Sequence, residues 1–104
     1  MKFLVTVTRK DTPHPPEIRA ELLAAQARWL KERVADGTLD CVYGFVEGGG
    51  VAIANAGSPE ELNRVLLDQP VLPISDVHVR PLADVQVTLE AGVEALRRGA
   101  AVPV

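Results

Sequence analysis

The run from Ser58 to Arg80 constrains the fold more than any other part of the chain. Ser58 stands where a helix would begin, Pro59 suits the first helical position, and Glu61 completes a capping box. Leu62, Val65 and Leu66 then fall on one helical face, and Pro70 and Pro73 stop the helix from continuing. From Asp76 to Leu82 the period changes to two, with Val77 and Val79 on one side and Asp76, His78 and Arg80 on the other. A capped helix, a proline-bracketed turn and an alternating strand together close a second β-α-β unit.

The first half is read the same way. Phe3, Val5 and Val7 alternate with Leu4, Thr6 and Thr8, the pattern of a strand with one strongly apolar face. Arg9 to Pro16 is a connection, because Pro13, Pro15 and Pro16 fix φ and remove donors. Glu17 to Ala35 favours helix. Ile18, Leu22, Ala25 and Trp29 form one stripe, and Leu23, Ala27, Leu30 and Val34 form the next, up to Asp36-Gly37. Leu39 to Glu47 reads as a second strand, with Val42 and Val46 on one face and Cys41, Tyr43, Phe45 and Glu47 on the other. Gly48-Gly49-Gly50 turns the chain, and Val51 to Ala56 returns as a third strand. Val85, Leu89, Val93 and Leu96 suggest a C-terminal helix closed by Arg97, Arg98 and Gly99.

The order is therefore β-α-β-β-α-β plus a tail helix, an α+β, ferredoxin-like arrangement in which helices cover one face of the sheet. The other face would carry Leu4, Thr6, Tyr43, Phe45 and His78, too apolar a mixture to be left wet. Burying it against a second copy predicts a homodimer of the dimeric α/β-barrel type, with a lined hollow beside each sheet.

Composition narrows the function. With 104 residues, the chain is expected to be a single domain spanning 1–104. A net charge of -3 offers no electrostatic basis for binding nucleic acid or an anionic membrane. No apolar run approaches the roughly 20 residues needed to span a bilayer. The start of the chain reads as a strand rather than a signal peptide, and one cysteine, Cys41, excludes an intrachain disulfide. The expected location is cytoplasmic.

On these residues the chain resembles the muconolactone isomerase family, within the dimeric α/β-barrel superfamily. The resemblance is carried by the Ser58-Pro59-Glu60-Glu61-Leu62 helix start, Leu66, the Gln69-Pro70-x-x-Pro73 turn and Asp76-Val77, with a weaker match from Pro16 to Thr38. It implies a small-molecule isomerase that shifts a double bond within an unsaturated lactone, without metal or organic cofactor. It also implies rings of dimers with C-terminal segments crossing to neighbours. The outward positions of the fourth strand are mostly acidic in that family and here read Asp76, His78 and Arg80. The second strand, rich in Trp and basic residues in relatives, reads Asp40-Cys41-Val42-Tyr43-Gly44-Phe45. Different polar groups imply a different substrate, so no catalytic residue is carried over.

The candidates come from the residues instead. His78 can move a proton near neutral pH, and Arg80, on the same face, can hold a carboxylate or enolate. The structural alternative is that both pair across the dimer with Asp76 or Glu47. Glu47 is a second candidate base and Tyr43 a candidate oxyanion donor, against a reading of Tyr43 as an interface aromatic. His14, between prolines after the first strand, is placed as a pocket lid or a solvated loop residue, and Trp29 as core or pocket wall. Arg9 and Lys10 sit at the same rim. Cys41 lacks any sign of a partnering base and reads as a small buried hydrophobe. The glycine run feeds a strand, so it is a turn and not a phosphate loop. His14, His78 and Cys41 lack metal-ligand spacing. Two other functions fit the scaffold: a cofactor-free monooxygenase or cyclase of aromatic polyketides, and a non-catalytic ligand-binding or assembly module.

Overall fold

The computed structural model describes residues 1–99. Its elements run β1 (Lys2–Arg9), α1 (Pro16–Ala35), β2 (Leu39–Gly44), β3 (Gly50–Asn55), α2 (Pro59–Leu67), a 3-10 turn (Leu72–Ile74), β4 (Ser75–Leu82) and α3 (Val85–Arg97). The four strands form one antiparallel sheet in the order β2-β3-β1-β4, which is the ferredoxin-like order expected from the sequence.

Register sorts the side chains between two faces. Val5 lies opposite Ala52 and Val79, and Ala52 lies opposite Val42, so these share the helix-covered face. Thr6 lies opposite Val51 and His78, and Val51 opposite Tyr43, so these share the other face. The core grows from the first set. Phe3, Val5, Leu39, Ala52, Ala54 and Ala56 pack with Leu62 and Leu66 of α2, and Phe3 and Leu62 are fully buried. Burying side chains of that size stabilises the fold by about 1.5–3 kcal/mol each.

The start of α2 follows its sequence with one adjustment. Ser58 Oγ accepts from the Glu61 N–H at 3.1 Å, as a capping residue should. The Glu61 carboxylate reaches back one residue further than a capping box requires, accepting from the Gly57 N–H at 2.8 Å.

Two expectations need correction. The second strand stops at Gly44 rather than Glu47. The Phe45 N–H donates to Gly49 at 2.9 Å and the Gly48 N–H to Phe45 at 3.0 Å, so Phe45, Val46 and Glu47 belong to the turn. Phe45 and Glu47 therefore do not share a sheet face with Tyr43. The apolar stripe of α1 is less buried than its width implies. Leu22, Ala25, Trp29 and Leu30 are half-buried, while Ile18, Leu23 and Val34 remain exposed. The helix stands off the sheet. The C-terminal helix α3 forms as expected, capped by Asp84 Oδ1 on the Val87 N–H at 2.9 Å, and none of its side chains is buried.

Candidate functional site

The gap between α1 and the sheet is a cavity of about 360 Å³ at the hairpin end of β1. It lies on the helix-covered face, not on the face where the sequence places His78. Its buried floor is Val5, Leu39, Ala52, Leu66, Val71 and Ile74. Its exposed rim includes Arg9, Leu23, Tyr43 and the glycines 44, 48 and 49. Walls of this kind, apolar with a few convergent polar groups, are typical of small-molecule sites.

Glycine at position 49 is what allows the rim to close. Its φ is +78°, and a Cβ there would lie 2.2 Å from the Val7 carbonyl oxygen. The turn thus rests directly on the backbone of β1 beside the cavity.

Two of the polar groups are guanidinium groups. Arg9 leaves the end of β1 and Arg19 rises from the first turns of α1, and both border the cavity. Neither is within ion-pair distance of a carboxylate among the described residues. Unneutralised guanidinium groups beside an apolar hollow favour an acidic ligand, which they can hold through paired N–H donors.

Two more are amides. Gln26 interrupts the apolar stripe of α1 between Leu22 and Trp29, and Gln69 closes the turn after α2. Gln26 Oε1 accepts from the Val71 N–H at 3.3 Å, and Gln26 Nε2 donates to Gln69 Oε1 at 3.3 Å. Gln69 is 4% exposed, and its Nε2 has no partner. A buried donor left unmet costs about 1–3 kcal/mol. Ser75, at the start of β4, is also buried in the lining.

The residues singled out from the sequence divide. Tyr43 and Trp29 border the cavity. Tyr43 is 68% exposed, and its strand position points away from α1, so its ring lies at the edge rather than within. Trp29 is half-buried against the core, with the Arg33 guanidinium 6.0 Å from its ring centre. Glu47 is exposed on the turn, immediately before the glycines of the rim. His78 and Arg80 are exposed on the opposite face, across from Thr6 and Leu4, and line no part of this cavity. The reason is strand alternation: Val77 and Val79 take the inward positions and send both polar neighbours outward. His14 is half-buried in the loop before α1, outside the lining, and its Nε2 is buried without a partner. Cys41 is half-buried beside Ile53 on the uncovered face.

Arg19, Gln26, Gln69 and Ser75 escaped the sequence reading as site residues. Gln26 had a visible signal, a polar residue three and four positions from apolar ones on a buried stripe. Gln69 was legible only as part of a turn. Among the described residues no three His, Cys, Asp or Glu side chains gather as a metal site, and no helix is long and apolar enough to cross a membrane.

Comparison with known proteins agrees with this architecture. Residues 1–86 match the profile of a family described as muconolactone delta-isomerase. A crystal structure of muconolactone isomerase superposes with a TM-score of 0.73 at 21% identity, covering 81% of this chain and 90% of that one. The 5-chloro-2-hydroxyhydroquinone dehydrochlorinase of Burkholderia phenoliruptrix AC1100, in complex with 2,5-dihydroxybenzoquinone, superposes with a TM-score of 0.61 at 20% identity. The alignment covers 84% of this chain and 98% of that one. No curated protein matches in sequence.

Proposed function

Because the chain belongs to the muconolactone delta-isomerase family, we propose that it is a cytoplasmic, cofactor-independent isomerase that shifts a double bond within a small unsaturated lactone or related ring. The observation that carries this reading is the cavity under α1, apolar on its floor and flanked by Arg9 and Arg19. A ring fits the apolar part, and a substituent carboxylate is held by the guanidinium groups.

Double-bond migration next to a carbonyl needs three things. A base removes a ring proton, the electron pair moves to the carbonyl oxygen as an enolate, and the proton returns at another ring carbon. Glu47 is the proposed proton carrier, because the turn that bears it borders the cavity while His78 lies across the sheet. Tyr43, at the rim, is proposed to donate to the developing oxyanion. Arg80 and His14 are left without a role within one protomer.

The site is proposed to work in a homodimer or a larger ring of dimers. The uncovered face presents Leu4, Val51, Ile53 and Tyr43, and α3 leaves Val85, Val87 and Leu89 exposed. A second copy covering these surfaces would also bring its own polar groups towards the rim.

Muconolactone in deuterated buffer tests the reading. The wild type should isomerise it and incorporate solvent deuterium into the ring. Glu47→Gln should lower kcat by about 10²–10⁴-fold, and Arg19→Ala should raise KM about tenfold, the loss of a charge-assisted contact. No turnover and no exchange by the wild type, or full activity in both variants, would refute it. The likeness to a dehydrochlorinase complexed with 2,5-dihydroxybenzoquinone supports a second reading, in which the ring is a hydroxylated quinol. That compound in place of muconolactone is the matching test.

A further inference from the structure

We infer that the occupant of the cavity is an amphipathic compound: an acid group and an oxygenated ring at the mouth, and beyond them a hydrocarbon arm of about the bulk of a second ring. This rests on the proposed function and adds the class of substrate within it.

The cavity sorts its lining by depth. The groups assigned to binding and reaction stand at its mouth: Tyr43 and Arg9 are exposed, Glu47 is exposed on the adjoining turn, and Arg19 is half-buried. Further in, the lining turns apolar. Val7, Trp29, Leu30 and Val42 are half-buried walls packed against the core, above the buried floor that contains Leu39 and Ala52. The polar side chains at that depth offer little. Gln26 is bonded to the Val71 N–H and to Gln69, and Gln69 and Ser75 are themselves buried. The inner space therefore suits hydrocarbon, and the mouth suits oxygen and charge.

Size points the same way. A cavity of roughly 150 Å³ with aliphatic walls holds one benzene, and this one, at about 360 Å³, is more than twice as large. A five-membered lactone is smaller than benzene. Seated against Tyr43 and beside Glu47, it would leave the apolar interior to water. Sunk to the floor, it would leave those groups behind at the mouth. One molecule meets both ends when an apolar group extends inward from the oxygenated ring. Burying that arm also holds the reacting ring beside an exposed base, which is a use of binding energy from a non-reacting part of the substrate.

Phenylacetate and 2-naphthylacetate carry the same acid arm and differ by one fused ring. Each is titrated into the full-length ¹⁵N-labelled protein and followed through the backbone amides. In the wild type both should shift residues of the cavity lining. The naphthyl acid should bind about tenfold more tightly, the effect of burying about 50 Å² more apolar surface. Val42 is half-buried on the edge strand β2, opposite Ala52, where a larger side chain takes up the inner space. Val42→Phe should therefore bring the two acids to within about twofold of each other and leave phenylacetate nearly unchanged. Ala52→Val adds bulk at the floor and should act in the same direction, which keeps the test open if Val42→Phe does not fold. Arg19→Ala should weaken both acids by the same factor, about tenfold, because the acid end is common to both. Equal affinity for the two acids in the wild type, or a naphthyl preference that survives both cavity substitutions, overturns the hydrocarbon arm and leaves the site standing. If neither acid shifts any residue of the lining, the site itself is wrong and this inference falls with it.

Discussion

Replacing Gly49 by alanine should damage this fold far more than replacing Gly37, although the two have nearly the same φ. Gly49 has φ +78° and Gly37 has φ +84°. An L residue in that left-handed region costs about 1–2 kcal/mol at either position. The loss of unfolded-state freedom on going from Gly to Ala is also shared, so it cancels in the comparison. The surroundings differ. Nothing lies within 4 Å of a Cβ built at Gly37, whereas at Gly49 it would meet the Val7 oxygen at 2.2 Å and Thr8 Cα at 3.2 Å. Both atoms are backbone of the central strand, so no side chain can swing aside. The turn must lift from β1 by roughly 1 Å, and overpacking of that kind costs about 1–3 kcal/mol beyond the shared strain. For a domain of this size, each kcal/mol moves Tm by about 4–8 °C, so Gly49→Ala should melt about 5–20 °C below Gly37→Ala. Urea titration of both variants by circular dichroism gives the difference directly. Because Gly49 also borders the cavity, muconolactone should bind more weakly to Gly49→Ala and normally to Gly37→Ala. Equal stability of the two variants would show that the turn does not rest on β1, and the rim described above would be wrong.

Stability at acid pH should depend on Asp40. Hydrogen bonds from Lys2 and then from Asn55 hold its carboxyl below the usual range. A carboxyl that binds its proton less readily when folded stabilises the fold while ionised. That contribution is present above about pH 4 and fades as pH falls through the lowered folded value. The Tm curves of wild type and Asp40→Asn should therefore differ near neutrality and converge towards pH 2, and parallel curves would contradict the assignment. Asp36, held low by its hydrogen bond with Thr38, should add to the same acid loss. Ser58→Ala removes the acceptor of the Glu61 N–H and should cost about 1 kcal/mol in urea unfolding; an unchanged midpoint would mean that the Glu61–Gly57 contact alone holds the helix start.

How far the chain could be read in advance varied from element to element. The strand at β4 was legible because Val77, His78, Val79 and Arg80 alternate without interruption, and α2 was legible because a cap, a first-turn proline and a closing proline all agree. The end of β2 was not. Phe45, Val46 and Glu47 continue the alternation of Tyr43 and Gly44, and only the hydrogen bonds of Phe45 with Gly49 and Gly48 show the chain already turning. That misplacement moved Glu47 off the sheet face and beside the cavity rim. His78 was assigned to the correct face, but the cavity lies on the other one. Alternation says which residues share a face and is silent about which face has a hollow.

Local chemistry was enough to determine the order of elements, because φ restriction at proline and glycine, side-chain caps and hydrophobic period all act within a few residues of the chain. The cavity is a matter of distance between elements. It lies between α1 and the sheet, with Gln26 and Gln69 in its lining. Its polar character depends on Gln26 meeting Gln69 and Val71, partners 43 and 45 residues away. Contacts at that separation form only when the sheet has brought two helices and a turn to one side, so only the tertiary structure could decide where the cavity lies and which side chains line it.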